Sequence, residues 1–267
     1  MNEGLSRNNF AVTPPRLWMR LYSVWYRHFR VYTKNFISNG LPPFIEPLFF
    51  LAGVGLGLGK YVGVVEGTSY IMFLAAGIIV PPAMYTSAYE CTFGTFIRLE
   101  FDRVYDGMIS ASITVCDLLI GEMIFAGTKS LFFSFAVLVI VSAFGLITSP
   151  LAVFAPVVGF FTGLMFAAFS LFITYFVKNI NHFNFYFTGL LTPMFFFSGI
   201  VFPLADLPRP LQVAAEFFPL THPANLVRAL CSGNFSSWLV FDIAYMAVFT
   251  AFFGMLSVVL LKKRILQ

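Results

Sequence analysis

Apolar residues run in blocks of about twenty along this chain, and polar residues gather between the blocks. A helix of that length crosses a bilayer, so the windows predict six spans near 41–59, 68–89, 112–145, 151–177, 183–203 and 236–261. Stretches such as SLFFSFAVLVIVSAFGLI (130–147) have no polar face and do not alternate, which excludes barrel strands. The third and fourth windows are long enough to tilt or to project beyond the membrane.

Three segments between the windows have a helical period of their own. Before the first, Arg16, Arg20, Ser23, Arg27, Arg30 and Lys34 recur at steps of four and three, opposite Trp18, Leu21, Tyr22, Trp25, Phe29 and Tyr32. This predicts an amphipathic helix over 14–37, opened by Pro14 and Pro15 and lying along the headgroups. Trp18, Arg20, Trp25, Arg27 and Arg30 are its membrane-interface residues; a simple anchor and part of a docking surface both remain open as its role. Between the second and third windows, Phe93, Phe96, Ile97, Phe101, Val104, Tyr105 and Met108 repeat at steps of three and four, with Arg98, Asp102 and Asp106 on the other side. The pattern predicts one helix over 93–108, with Arg98 and Asp102 paired at i, i+4. Its acids would be repelled by anionic headgroups, so the mixed-charge face reads as a protein docking surface. The third segment, 203–235, predicts two short external helices split at FPLTHP, with Pro210 and Pro223 in their first turns and Thr221 or His222 as a cap. Neither can span, which makes them re-entrant or interfacial.

Composition agrees with an all-α integral membrane protein of one domain, 1–267: 59% of residues are hydrophobic and 10% charged, against about 25% charged in soluble chains. Twelve Lys and Arg flank one side of the six windows and three (Lys60, Arg209, Arg228) the other, with Lys129 inside a window. That asymmetry predicts cytoplasmic termini and a cytoplasmic 93–108 segment. The net charge of +4 therefore reflects membrane boundaries and implies no nucleic acid partner. Cys91, Cys116 and Cys231 have no metal spacing and make no even disulfide set. The basic, aromatic N-terminus lacks the apolar core and cleavage site of a secretory signal.

Candidate chemistry is sparse. GVGLGLGKY (53–61) resembles a phosphate loop, but Val54 stands where a glycine is needed and Tyr61 where Ser or Thr is needed. Its glycines fit close helix packing better, so no ATP site is expected on this chain. Charges inside the windows are costly and hence informative: Glu122 and Lys129 lie two turns apart on one face, Asp117, five residues before Glu122, diverges from it, and Glu46 opens the first window and Asp242 the sixth. They suit either a structural polar contact or a proton relay. The three histidines are scattered, and no nucleophile–base pair or metal cluster is visible, so the chain is not expected to be an enzyme. The 36 phenylalanines, clustered at 160–161, 195–197 and 252–253, are compatible with a path for greasy or sugar-bearing cargo.

The aromatic basic N-terminal helix, EPLFFLAGVGLGLGKYVG, the mixed-charge loop helix, Gly121-Glu122 with Lys129, and LLTPMFFFSGIVFPLADLP (190–208) together resemble the membrane subunit of type-2 ABC exporters, of the NodJ-like group. The resemblance implies a homodimer of six-helix permeases in a bacterial inner membrane, bound to two cytoplasmic ATPase subunits that carry ATP and Mg. It makes 93–108 the coupling helix, with Phe96, Arg98, Glu100, Asp102 and Arg103 meeting the ATPase. It also implies export of a lipid-linked, glycan or hydrophobic substrate past external gating helices. The residues alone also leave open an ion-coupled transporter using Asp117, Glu122 or Lys129, or a non-transporting scaffold.

Overall fold

The computed structural model describes residues 15–65, 67–111 and 113–266. It is helical almost throughout, with helices α1 (Leu17–Lys34), α2 (Phe36–Val62), α3 (Tyr70–Phe101), α4 (Val104–Ser110), α5 (Val115–Ala143), α6 (Pro150–Phe176), α7 (residues 183–197), α8 (Arg209–Phe217), α9 (Thr221–Ser232) and α10 (Leu239–Ile265). A hairpin of β1 (Val64–Val65) and β2 (Thr68–Ser69), which no apolar window foretold, turns α2 into α3. Pro14, where the interface helix is expected to begin, lies outside the described residues.

Among the described residues five helices (α2, α3, α5, α6 and α10) are long and apolar enough to cross a membrane. The 183–203 window gives a shorter helix, α7, which stops at Ser198 as Gly199 turns with φ +75°. Its route is nonetheless constrained by its neighbours. Arg264, at the C-terminal end of α10, donates to the Thr174 and Val177 carbonyls at the C-terminal end of α6 (2.7 and 2.9 Å). At the opposite end, Ser149, which caps the start of α6, donates to Cys231 of α9, and α9 is tied to the start of α10 through His222 and Asp242. Helices α6 and α10 therefore run parallel, and the chain between them must travel back through α7.

Small residues set the central packing. Helices α5 and α6 are antiparallel, with Gly159 against Ser134 and Gly163 against Ser130. The same two serines donate to the Ile79 and Ala83 carbonyls of α3 (both 3.0 Å), where Pro81 and Pro82 interrupt the helical ladder. Helix α3 is thereby the innermost span, 78% buried over its most apolar stretch against 11% for α10.

Helix α5 starts with a capping box, in which Asp117 accepts from the Thr114 backbone (3.0 Å) while its own amide donates to the Thr114 hydroxyl (3.2 Å). Along its first half α1 runs parallel at a four-residue register: Arg20 pairs with Asp117 (2.8 Å), Val24 packs on Gly121 and His28 stacks on Phe125.

Candidate functional site

The C-terminal end of α3 departs from the expected single helix over 93–108. Its last turns, Glu90–Gly94 and Ile97–Phe101, are π-helical, the helix stops at Asp102, and Arg103 takes a left-handed conformation (φ +46°) before α4 begins. The Arg98–Asp102 pair does not form. Two carboxylates between the spans, the fully buried Glu122 and the partly buried Glu90, draw the Arg98 guanidinium inward, and in that low-dielectric setting they outcompete one exposed Asp. Phe96 is likewise only 3% exposed, under Arg264 (5.6 Å), so neither Phe96 nor Arg98 belongs to a docking face. Glu100 accepts from Arg264 (2.8 Å) and ties this end to α10. What faces the solvent is a knuckle: Phe101, 65% exposed, with Asp102, Arg103 and Asp106 beside it and α4 anchored beneath by buried Tyr105 and Met108.

From the knuckle a chain of ionic contacts runs inward. The Tyr105 hydroxyl lies 2.7 Å from both Glu122 oxygens, and Glu122 binds the Arg98 guanidinium. Arg98 in turn reaches Glu90 Oε1 (2.8 Å), and Glu90 Oε2 accepts from Lys129 Nζ (3.1 Å). Burial and the neighbouring Glu122 carboxylate push the Tyr105 phenol well above its usual range, which keeps it a donor. Two acids and two bases make the chain neutral, and Glu122 is fully buried. Glu122 and Lys129, two turns apart, thus meet through the shared partners Glu90 and Arg98. In this closed arrangement, with Asp117 capping α5 and paired with Arg20, both α5 carboxylates have partners.

Lys129 also forms part of the wall of a cavity of about 600 Å³ between α2, α3, α5 and α7. Glu46 also lines the cavity, with Phe50, Tyr85, Tyr89, Phe133 and Phe195.

The expected interface residues divide. Trp18 (76% exposed) and Arg30 stay outward, Arg27 is half-buried, Arg20 is turned to Asp117, and the Trp25 indole donates to Thr128 (3.1 Å). His28 sits in the contact with α5, where burial, reinforced by Arg98, brings its imidazole down to about 4. An undocked imidazole protonates near 6.5. His28 thus supports α1 docking fully above about pH 6.5 and progressively less as pH falls toward 4, a swing of about 3 kcal/mol. Purified protein is expected to melt lower at pH 5 than at pH 7.5, and His28→Phe, which keeps the ring contact, to narrow that gap; an unchanged gap would refute the assignment.

On the far side, α8 and α9 are the two expected short helices. Leu220 rather than Thr221 or His222 occupies the cap of α9: the Thr221 hydroxyl donates to the Ala215 carbonyl (2.6 Å), and His222 pairs with Asp242 (2.7 Å) while stacking on Tyr245. Arg228 lies over Phe73 and binds the Gly199 and Ile200 carbonyls beyond α7.

Apolar helices long enough to cross a membrane, an exposed knuckle at the end of α3 and a cavity between the spans define a multi-pass membrane protein. The ABC-2 type transporter family model matches residues 19–231, and the chain belongs to that family. It is 33% identical over 257 residues to Nodulation protein J of Sinorhizobium fredii (strain NBRC 101917 / NGR234), covering 96% of this chain and 98% of that one. Nodulation protein J of Rhizobium leguminosarum bv. trifolii is 33% identical over 245 residues (92% and 94%), and the inner membrane transport permease YadH of Escherichia coli (strain K12) 22% over 209 (77% and 80%). The chain is thus the membrane subunit of an ABC transporter of the NodJ-like group.

Proposed function

We propose that this chain is the permease of an ATP-driven exporter that moves a lipid-linked, glycan or hydrophobic substrate out across a bacterial inner membrane. Two copies form the membrane unit, with cytoplasmic termini and α7 as the sixth crossing, and two separate ATPase subunits bind ATP and Mg. The observation that carries the reading is the exposed knuckle at Phe101–Asp106, joined by the ion chain to the wall of the cavity between the spans. A partner that closes on ATP pushes the knuckle, and the buried chain makes α3, α4 and α5 move as one body toward the cavity. The external helices α8 and α9 gate the outer end. Similarity to an inner membrane transport permease supports the location.

The docking role belongs to Phe101 with Asp102 and Arg103. Tagged protein extracted gently from its host is expected to carry a nucleotide-binding subunit. Phe101→Ala should weaken that association at least tenfold, about 1.4 kcal/mol, as exposed aromatic anchors do. Asp102→Lys should release the subunit while the permease keeps its melting temperature. Undiminished association in both variants would remove the knuckle from the interface.

A further inference from the structure

We infer that the cavity between α2, α3 and α5 is a headgroup site for an amphiphile whose polar head donates hydrogen bonds and carries no negative charge, with Glu46 as the specificity-determining residue. The inference rests on the export reading and names the class of cargo it would take.

Two ionic groups line the cavity, and only one has a free charge. The Lys129 ammonium is 3.1 Å from Glu90 and also lies over the Tyr32 ring, so its positive charge is neutralised within the protein. Glu46 has no ion-pair partner within 4 Å among the described residues. The wall therefore carries one unbalanced negative charge. An ionised side chain set in a spanning helix is stable only where water or hydrogen-bond donors reach it. Glu46 comes five residues after the bend at Leu41, about 8 Å along the helix, so a head entering from the cytoplasmic side meets it early.

The backbone adds acceptors of the same kind. Pro47 and Pro82 have no N–H to give the carbonyls four residues back, those of Pro43 and Ile78, and all four residues line the cavity. A wall of carboxylate and under-served carbonyls suits hydroxyls or an ammonium and repels a phosphate. The rings of Phe50 and Phe133 supply apolar faces for the remainder of the head or the start of its chain.

The test uses the full chain in phosphatidylcholine nanodiscs and three photoreactive probes. All share a diazirine-bearing dodecyl tail, and their heads are a maltoside, a primary ammonium and a phosphate. Labelling is mapped by mass spectrometry to 43–50 and 81–89. The maltoside and ammonium probes are expected to label these segments at least tenfold more than the phosphate. Glu46→Gln should reduce the ammonium labelling towards that of the maltoside, and Glu46→Lys should favour the phosphate. Glu46 is exposed within the chain, so its replacement disturbs no packing; an unchanged melting temperature confirms that each variant is folded. Equal labelling by the phosphate, an order unaffected by Glu46→Lys, or no labelling of the cavity overturns the proposal. Because the nanodiscs hold the permease alone, such a failure is separate from any failure of the ATPase to co-purify.

Discussion

Replacing Arg98 by Met is expected to destabilise the protein by about 3–5 kcal/mol, the range for breaking a buried ion pair from one side. Glu122, fully buried, would keep the Tyr105 hydroxyl as its hydrogen-bond donor but lose the one ion-pair partner it has among the described residues. Glu90 would still have Lys129, so the deficit falls on Glu122. The control is the double replacement Arg98→Met with Glu122→Leu. It removes one charge of each sign, leaves Glu90 paired with Lys129, and leaves the buried Tyr105 hydroxyl without its acceptor, at a cost of about 1–3 kcal/mol. The pair should therefore be much milder than Arg98→Met alone, with a coupling above about 2 kcal/mol in the cycle. Melting of detergent-purified protein followed by tryptophan fluorescence reads all four corners. Additive, mild single effects would show that the ion chain is dispensable. The same logic disqualifies charge reversal at Arg98 as a probe of partner docking, because a loss of binding there would follow from misfolding.

The spans were legible because each needs about twenty apolar residues, and that demand is written locally. The segment ending α3 was legible only in part. Its period of three and four predicts one continuous helix, but the chain breaks at Asp102–Arg103, and an i, i+4 rule weighs Arg98 against Asp102 alone. The deciding partners, Glu90 eight residues back and Glu122 on another span, lie outside any local window. Phe96 and Phe101 look alike in sequence; the Arg264 guanidinium, arriving from the far end of the chain, covers Phe96 and leaves Phe101 exposed. Lys129 and Glu122, two turns apart on one face, do not touch; Glu90 and Arg98, which no local pattern links to them, lie between the two. The His222–Asp242 pair gave no local sign, since a lone histidine and a lone aspartate twenty residues apart are individually unremarkable. The fifth window, 183–203, overstated a helix that Gly199 ends early, and the parallel run of α6 and α10 requires the chain between them to turn back.

Gly163→Val is the second large effect expected, and it tests the seam on which those spans rest. A Cβ at Gly163 would fall 2.3 Å from the Ser130 hydroxyl oxygen, 2.4 Å from the Ser130 Cβ and 3.0 Å from the Gly127 Cα. The first two atoms belong to a short side chain with nowhere to swing, because the Ser130 hydroxyl donates to the Ala83 and Ala126 carbonyls. The third belongs to the backbone of α5, so α5 and α6 must separate. In a membrane that separation is not offset by a hydrophobic driving force, since lipid is as apolar as the core; close contact itself holds such helices together. Gly163→Ala should cost about 1–3 kcal/mol, as overpacking does, and Gly163→Val more, enough to leave little folded protein in detergent extracts. Gly53→Val is the comparison, since a Cβ there meets nothing within 4 Å and the protein should be recovered at the normal yield. If Gly163→Val were recovered as well as Gly53→Val, the α5–α6 seam would be looser than its contacts require, and rigid transmission from the knuckle through α5 could not rest on it.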